Sequence, residues 1–276
     1  MTDKFPFSYF STWINPQKMF TNRKKLSWGQ MILTLVFSFA LILLTVPVYY
    51  ARQSSVNLGM FMPKVNRMLK NQDLQKTIHQ TPYHDGTFDF KGEKVIENSS
   101  NGIIGVNIPS SLEKNYRNGI FLSDQEVVLK ENGTTSTIRF MKDINPSKGN
   151  FYSKISQTWF RINRMGVTFS TMYMLGAIVL FTNLIFLFIG AFFLWLTRKS
   201  SFTTIATFKE ACAIFDYVIG PSCFITAIVG FFKFDISMIM MVETLVAVVY
   251  LLMIYGKKFM INLLMYLSAD SLDHLQ

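Results

Sequence analysis

The chain has 276 residues, half of them hydrophobic and 15% aromatic, with 16% charged and a formal net charge of +10. A charged share so far below the roughly 25% of a soluble domain excludes a purely soluble enzyme, a disordered chain and a disulfide-stapled secreted domain. The two cysteines, Cys212 and Cys223, stand in one apolar segment. On a helix they lie about 16 Å apart, beyond disulfide reach, so they are expected to be packing residues.

Residues 1–25 form a polar and aromatic preface, with Phe5, Phe7, Tyr9, Phe10, Trp13 and Phe20 beside Lys4 and Lys18. Aromatics mixed with basic residues at a membrane boundary predict an interfacial, cytoplasmic segment. Leu26 to Ala51 then runs without a charge, longer than the roughly 20 residues that cross a bilayer. It is too long for a signal-peptide core and ends in Val46-Pro47-Val48-Tyr49-Tyr50 with no small-x-small cleavage site, so an anchor that stays is expected.

Residues 52–165 change character and carry a surplus of positive charge without a cysteine. Pro63 is placed to open a helix with Val65, Met68, Leu69 and Leu74 on one stripe as far as Thr77. The period then becomes two. Strands are predicted around 86–92, 102–108, 119–122 and 126–130, and Asn132-Gly133 is a hairpin turn into 136–140. The expectation is an outward α/β domain with a small antiparallel sheet. It is followed by a returning helix from Tyr152 to Arg164 that runs into the next span.

Residues 166–256 hold three further spans, at about 168–197, 211–232 and 236–256. The short hinge Lys233-Phe234-Asp235 separates the last two. Basic residues flank the first span, the connection at Arg198, Lys199 and Lys209, and the end at Lys257-Lys258. An even number of spans separates each pair of flanks, which predicts that both termini are cytoplasmic. Residues 257–276 read as a cytoplasmic tail in which 259–267, too short to cross, is an interfacial or re-entrant helix. The fold class expected is therefore an α-helical membrane protein with four transmembrane helices and an inserted outward-facing α/β domain. Its place is the bacterial cell membrane.

Motifs for chemistry are absent: there is no H-E-x-x-H, no Walker lysine loop, no G-x-S-x-G and no dinucleotide fingerprint. No catalytic, cofactor or metal residue is assigned, and no enzyme is expected. His79, His84 and Asp85 approach a metal-like cluster but lack a regular spacing on one element. Two acids lie inside spans, where a carboxylate must face protein or water. Asp216 sits six residues past Glu210, about 9 Å along the helix, and Glu243 sits eight residues past Asp235, about 12 Å. These depths keep them from forming a direct dyad. Gly220-Pro221 interrupts the third span; Pro221 lacks an N–H and frees the carbonyl of Tyr217. Asp216, Pro221 and Glu243 thus form a candidate intramembrane polar site, serving either helix packing or a proton-linked pathway. The basic surplus flanks membrane or lies outside, so lipid or wall polymer is the partner expected, with no nucleic acid.

The start with Asn15-Pro16-Gln17-Lys18, the basic turn into Leu26-Ser27-Trp28 and the segment Asn118-Gly119-Ile120-Phe121-Leu122-Ser123-Asp124 resemble a family of Gram-positive maltodextrin-utilisation membrane proteins of unknown molecular function. The resemblance implies a non-enzymatic accessory or regulatory role in carbohydrate uptake. It also implies a membrane-protein partner such as a transporter, and it carries over no site residue. The alternative from another class is a small ion-coupled transporter using the intramembrane acids.

Overall fold

The apolar runs and the alternating segments sort into two units, Met1–Ala51 with Thr168–Gln276, and Arg52–Val167. The computed structural model describes residues 4–144, 149–199 and 205–273, without the side chains of Lys199 and 257–273.

In the first unit the elements are helices α1 (Phe7–Phe10), α2 (Pro16–Asn22), α3 (Trp28–Leu43) and α4 (Thr45–Arg52). Later come the second part of α8 (Phe151–Leu196), α9 (Phe208–Phe232) and α10 (Ile236–Asp273). Local chemistry sets their starts. Ser27 accepts from the Gln30 amide while the Gln30 side chain accepts from the Ser27 amide, a reciprocal cap that opens α3. Thr207 caps α9 by accepting from the Glu210 amide, and Pro16 occupies the first turn of α2, where no donor is missed.

Four helices are long and apolar enough to cross a membrane: Trp28–Arg52, Phe151–Leu196, Phe208–Phe232 and Ile236–Gly256. They are not equivalent. In α9, 78% of the apolar window is buried, against 17–33% in the others, so α9 is the axis around which the unit packs. Its small residues Ala211, Ala213, Gly220 and Gly230 let neighbours approach closely. Pro221 lies inside α9, which continues as one helix to Phe232. Helix α10 likewise runs on through 259–267 to Asp273, and the side chains of that stretch lie outside the described residues.

The N-terminal segment packs on the other helices of its unit through one face. Its two short helices put Tyr9, Thr12 and Met19 at 0–1% exposure, while Phe7 and Ile14 point outward. Tyr9 stacks on Tyr217 with centroids 5.1 Å apart, and Trp13 lies against Phe224 at 5.3 Å. Helix α9 offers Gly220 as a recess for Tyr9: a Cβ there would collide with the Tyr9 hydroxyl.

The second unit opens with a 3₁₀ turn at Leu58–Met60, followed by α5 (Pro63–Leu69) and α6 (Gln72–Gln80). One helix was expected across both; Asn71 instead caps α6 by accepting from the Asp73 and Leu74 amides. The hairpin β1 (Tyr83–His84) and β2 (Thr87–Phe88) precedes a five-stranded sheet. Its strands are β3 (Lys94–Ser99), β4 (Gly102–Val106), β5 (Gly119–Leu122), β6 (Glu126–Glu131) and β7 (Thr134–Arg139), in sequential order. The sheet is mixed rather than antiparallel, because β4 and β5 pair in parallel. Parallel neighbours need a crossover, and the link through α7 (Ser110–Glu113) supplies it. The Asn132-Gly133 turn has positive φ at both residues, 52° and 87°, as a tight hairpin requires. Strand β3 was missed because Lys94-Val95-Ile96-Glu97 sits at the sheet edge with little alternation and no fully buried side chain. Buried Glu131 fixes the sheet to α5, its two oxygens accepting from the Lys64 and Val65 amides at 3.1 and 3.0 Å.

Candidate functional site

The three residues singled out from sequence all belong to the helical unit, and the structure gives the two acids separate partners. Asp216 is fully buried. The Thr34 hydroxyl lies 3.0 and 2.8 Å from its two carboxyl oxygens. That same hydroxyl is 2.9 Å from the main-chain oxygens of Gln30 and Met31. A hydroxyl has one proton to give. The account balances when the carboxyl holds a proton and donates to the Thr34 oxygen, while the hydroxyl proton goes to the main chain.

Glu243, on α10, accepts from the Asn183 side-chain amide at 2.7 Å and from the Cys223 thiol at 3.4 Å. Asn183 comes from α8 and Cys223 from α9, so this acid ties three helices together. Among the described residues neither acid has a salt-bridge partner; uncharged partners satisfy both, which is how such groups are held in hydrocarbon.

Pro221 places no side chain on either acid. Nearby, the main-chain oxygen of Asp216 accepts from the Tyr9 hydroxyl at 2.8 Å. The sequence had pointed to the Tyr217 carbonyl as the spare acceptor; the tyrosine from α1 instead serves the carbonyl one residue earlier.

A second polar contact escaped the sequence reading altogether. Arg23, counted there only as flanking charge, donates from Nε to Glu210 Oε2 at 2.9 Å with both side chains buried. Its guanidinium also donates to the Phe20 carbonyl at 2.7 Å and covers the Phe20 ring at 4.1 Å. Glu210 Oε2 reaches the Ala206 amide at 3.5 Å. The only hint in the sequence was that Thr207-x-x-Glu210 has capping-box spacing, which says nothing about an arginine 187 positions away. Cys212 and Cys223 are both free and buried.

In the sheet unit, α6 and the strands leave a concavity of about 450 Å³, lined among others by Thr77, Gln80, Thr81, Asp89, Lys91 and Lys94. Hydroxyl, amide, carboxylate and ammonium groups converge there. That mixture suits a ligand rich in hydroxyls. His79 lies in the last turn of α6 and His84 on β1; among the described residues no group of three His, Cys, Asp or Glu side chains is placed to hold a metal ion.

Comparison with known proteins bears on the whole of this arrangement. A family profile described as a protein of unknown function, DUF1189, matches residues 9–254. The chain belongs to that family. The DUF1189 match spans Tyr9, Arg23, Thr34, Glu210, Asp216, Cys223 and Glu243 together. Among relatives, the maltodextrose utilization protein MalA of Streptococcus pneumoniae is 27% identical over 258 residues, 92% of this chain and 95% of that protein. A Bacillus subtilis protein provisionally named maltodextrin utilization protein YvdJ is 23% identical over 235 residues, covering 79% of this chain and 78% of its own length. No solved structure gives a significant match.

Proposed function

We propose that this protein is a multi-pass protein of the bacterial cell membrane with both termini in the cytoplasm. In this reading it serves carbohydrate utilization, with maltodextrin as the sugar, as a non-enzymatic accessory or regulatory component. The observation that carries the reading is the near full-length similarity to a protein named for maltodextrose utilization, in a chain with four helices able to cross a bilayer. The sheet unit faces outward in this reading. Its concavity at Gln80, Asp89, Lys91 and Lys94 contacts the sugar, while the helical unit contacts a membrane partner such as a transporter.

Purification of the full-length protein in mild detergent from cells grown on maltodextrin, with identification of what co-purifies, tests the partner. Recovery of a carbohydrate transporter subunit, absent from glucose-grown cells, is the expected result. Calorimetric titration of the purified protein with maltotriose tests the ligand. Heat that disappears in Asp89→Ala/Lys91→Ala supports the assignment, and its absence in the unmutated protein removes it.

A second reading, a small ion-coupled transporter, draws on one observation: Asp216 and Glu243 are buried with neutral partners only. Uptake of a solute into vesicles that depends on a proton gradient and is lost in Asp216→Asn would favour it over the accessory role.

A further inference from the structure

Both chain segments that lead from the apolar runs into the sheet unit are marked by arginine. The uncharged run Leu26 to Ala51 has 26 residues and ends at Arg52; at helical rise it extends about 39 Å, close to the roughly 40–45 Å of a bilayer with its headgroup layers. Arg164 is the last charged residue before the second uncharged run, which begins at Met165. The Arg164 guanidinium donates to the Gln53 main-chain oxygen at 3.0 Å, so the two segments lie at one level. Beside this junction is a cavity of about 190 Å³, lined by Ser54, Met141, Gln157, Thr158, Arg161 and Arg164. The last four come from α8 and, at spacings of three and four, share one of its faces. Two guanidiniums thus meet two hydroxyls and an amide, and among the described residues no carboxylate lines the space. Arg164 is fixed by Gln53 and by the Phe160 ring, whose centroid is 5.3 Å from its guanidinium. Arg161 is exposed and donates to the Met141 sulfur at 3.8 Å, a weak acceptor that a phosphate oxygen outcompetes. The Asp143 carboxyl feels the charge of Arg161 but is bonded by Lys154.

We propose that this cavity binds the headgroup of an anionic phospholipid, with Arg161 as the forked donor to the phosphodiester, Arg164 as a fixed positive charge, and Ser54, Gln157 and Thr158 as partners for headgroup hydroxyls. Guanidinium is the side chain whose planar fork matches phosphate oxygens in pairs. The volume is below the roughly 300–1,000 Å³ of pockets for drug-sized ligands, so it suits a compact polar head rather than a sugar chain. Lipid is the source because a phosphate held here leaves its acyl chains beside the apolar run that starts at Met165. The cavity shares no lining residue with the concavity assigned to the sugar. The proposal rests on the membrane placement in the reading above and is independent of the carbohydrate assignment.

Native mass spectra of the full-length protein in detergent, titrated with phosphatidylglycerol or phosphatidylcholine, give the affinity for each lipid. The unmutated protein should bind phosphatidylglycerol about tenfold more tightly, the worth of one charge-assisted bond. Arg161→Gln should remove most of that preference. Ser54→Asp keeps both arginines, sets a carboxylate in the cavity and should weaken phosphatidylglycerol as well, so the outcome does not hang on one variant. Arg139→Gln removes a charge from an exposed position on β7 and should change nothing. The proposal is overturned if the unmutated protein binds both lipids alike, or if Arg161→Gln weakens the preference no more than Arg139→Gln does. It is equally overturned if glycerol 3-phosphate displaces phosphatidylglycerol at equal concentration, since the site then takes a soluble phosphate ester. Carbonate washing of the membranes tests the placement separately. Protein that is retained but shows no preference dependent on Arg161 overturns the lipid site alone, whereas protein that is washed off removes the membrane placement and the site with it.

Discussion

The two units differ most in what they leave on the outside. In the sheet unit, Ile104, Ile120, Val127 and Leu129 are at 0% exposure, and polar residues cover the outside, the arrangement water imposes. In the helical unit Asp216, Thr34 and Ser38 are inside, while Phe181, Tyr173 and Leu252 stand outward. Where surroundings are themselves apolar, burying leucine gains little, so close packing of small residues and satisfied polar groups must hold the helices together. The comparison teaches that one chain obeys two rules of burial, each set by the solvent proposed for that unit.

The largest expected effect tests that assignment of solvents. Cysteine placed at exposed Thr135 on β7 should react with a membrane-impermeant thiol reagent in intact cells. Cysteine at exposed Ala206, ahead of α9, should react only after the cells are opened. Buried Cys212 and Cys223 leave the unmutated protein as a silent control. Equal labelling at both positions would break the comparison at its root.

Next come the contacts that hold the helical unit. Arg23→Ala leaves Glu210 as a buried carboxylate without its counter-charge and should cost about 3–5 kcal/mol, seen as a lower thermal midpoint of the helical unit in detergent. Adding Glu210→Gln should recover part of the loss. If the double variant is as unstable as the sum of the two, the pair is not acting by charge compensation.

Paired leucines sharpen the contrast. Leu129→Ala in β6 should cost about 2–5 kcal/mol through the cavity it leaves. Leu252→Ala on α10, at 65% exposure, should change stability by no more than about 0.5 kcal/mol. Hydrogen exchange of the β6 and α10 amides reads the two separately. Similar losses at both sites would mean that α10 is covered by protein rather than lipid.

Thr34→Val tests the satisfied acid, and about 1–3 kcal/mol should be lost because the buried Asp216 carboxyl is left without its hydrogen-bond partner. Asp216→Asn keeps an uncharged group of similar shape and should lose less. A reversal of that order, measured by thermal unfolding, would show that Asp216 needs its charge.

The smallest effect belongs to the sheet unit. Lys154 bonds Asp143 and holds its carboxyl below the usual range. A carboxyl whose folded pKa is depressed adds stability above its unfolded pKa of about 3.9 and loses it as pH falls through the folded value. Unmutated protein should therefore lose slightly more stability than Lys154→Met on acidification below about pH 4. Parallel pH profiles would assign the pair no role.

Much of the sheet unit was legible in advance. The alternation around Gly102–Val106 and Glu126–Glu131 and the turn at Asn132-Gly133 are local signals, and each element stands where its pattern placed it. The parallel pairing of β4 with β5 was not legible, because register across a crossover depends on where the chain returns, not on the strands' own residues. In the helical unit, Asp216 and Glu243 stood out as acids inside apolar runs. Thr34 and Asn183 did not, being common residues whose importance comes only from what faces them, and Cys223 stood out only as an expected packing residue.

Composition and hydropathy by themselves determined that four apolar helices exist and that an alternating, water-compatible segment separates the first from the second. Hydrophobic period and length are properties of adjacent residues. Only the tertiary structure decided that α9 is the axis, that Pro221 leaves it continuous, and that Tyr9 and Arg23 bond to Asp216 and Glu210. Those outcomes depend on how closely whole helices approach. A glycine such as Gly220 fixes that distance without announcing which side chain will fill the space it leaves.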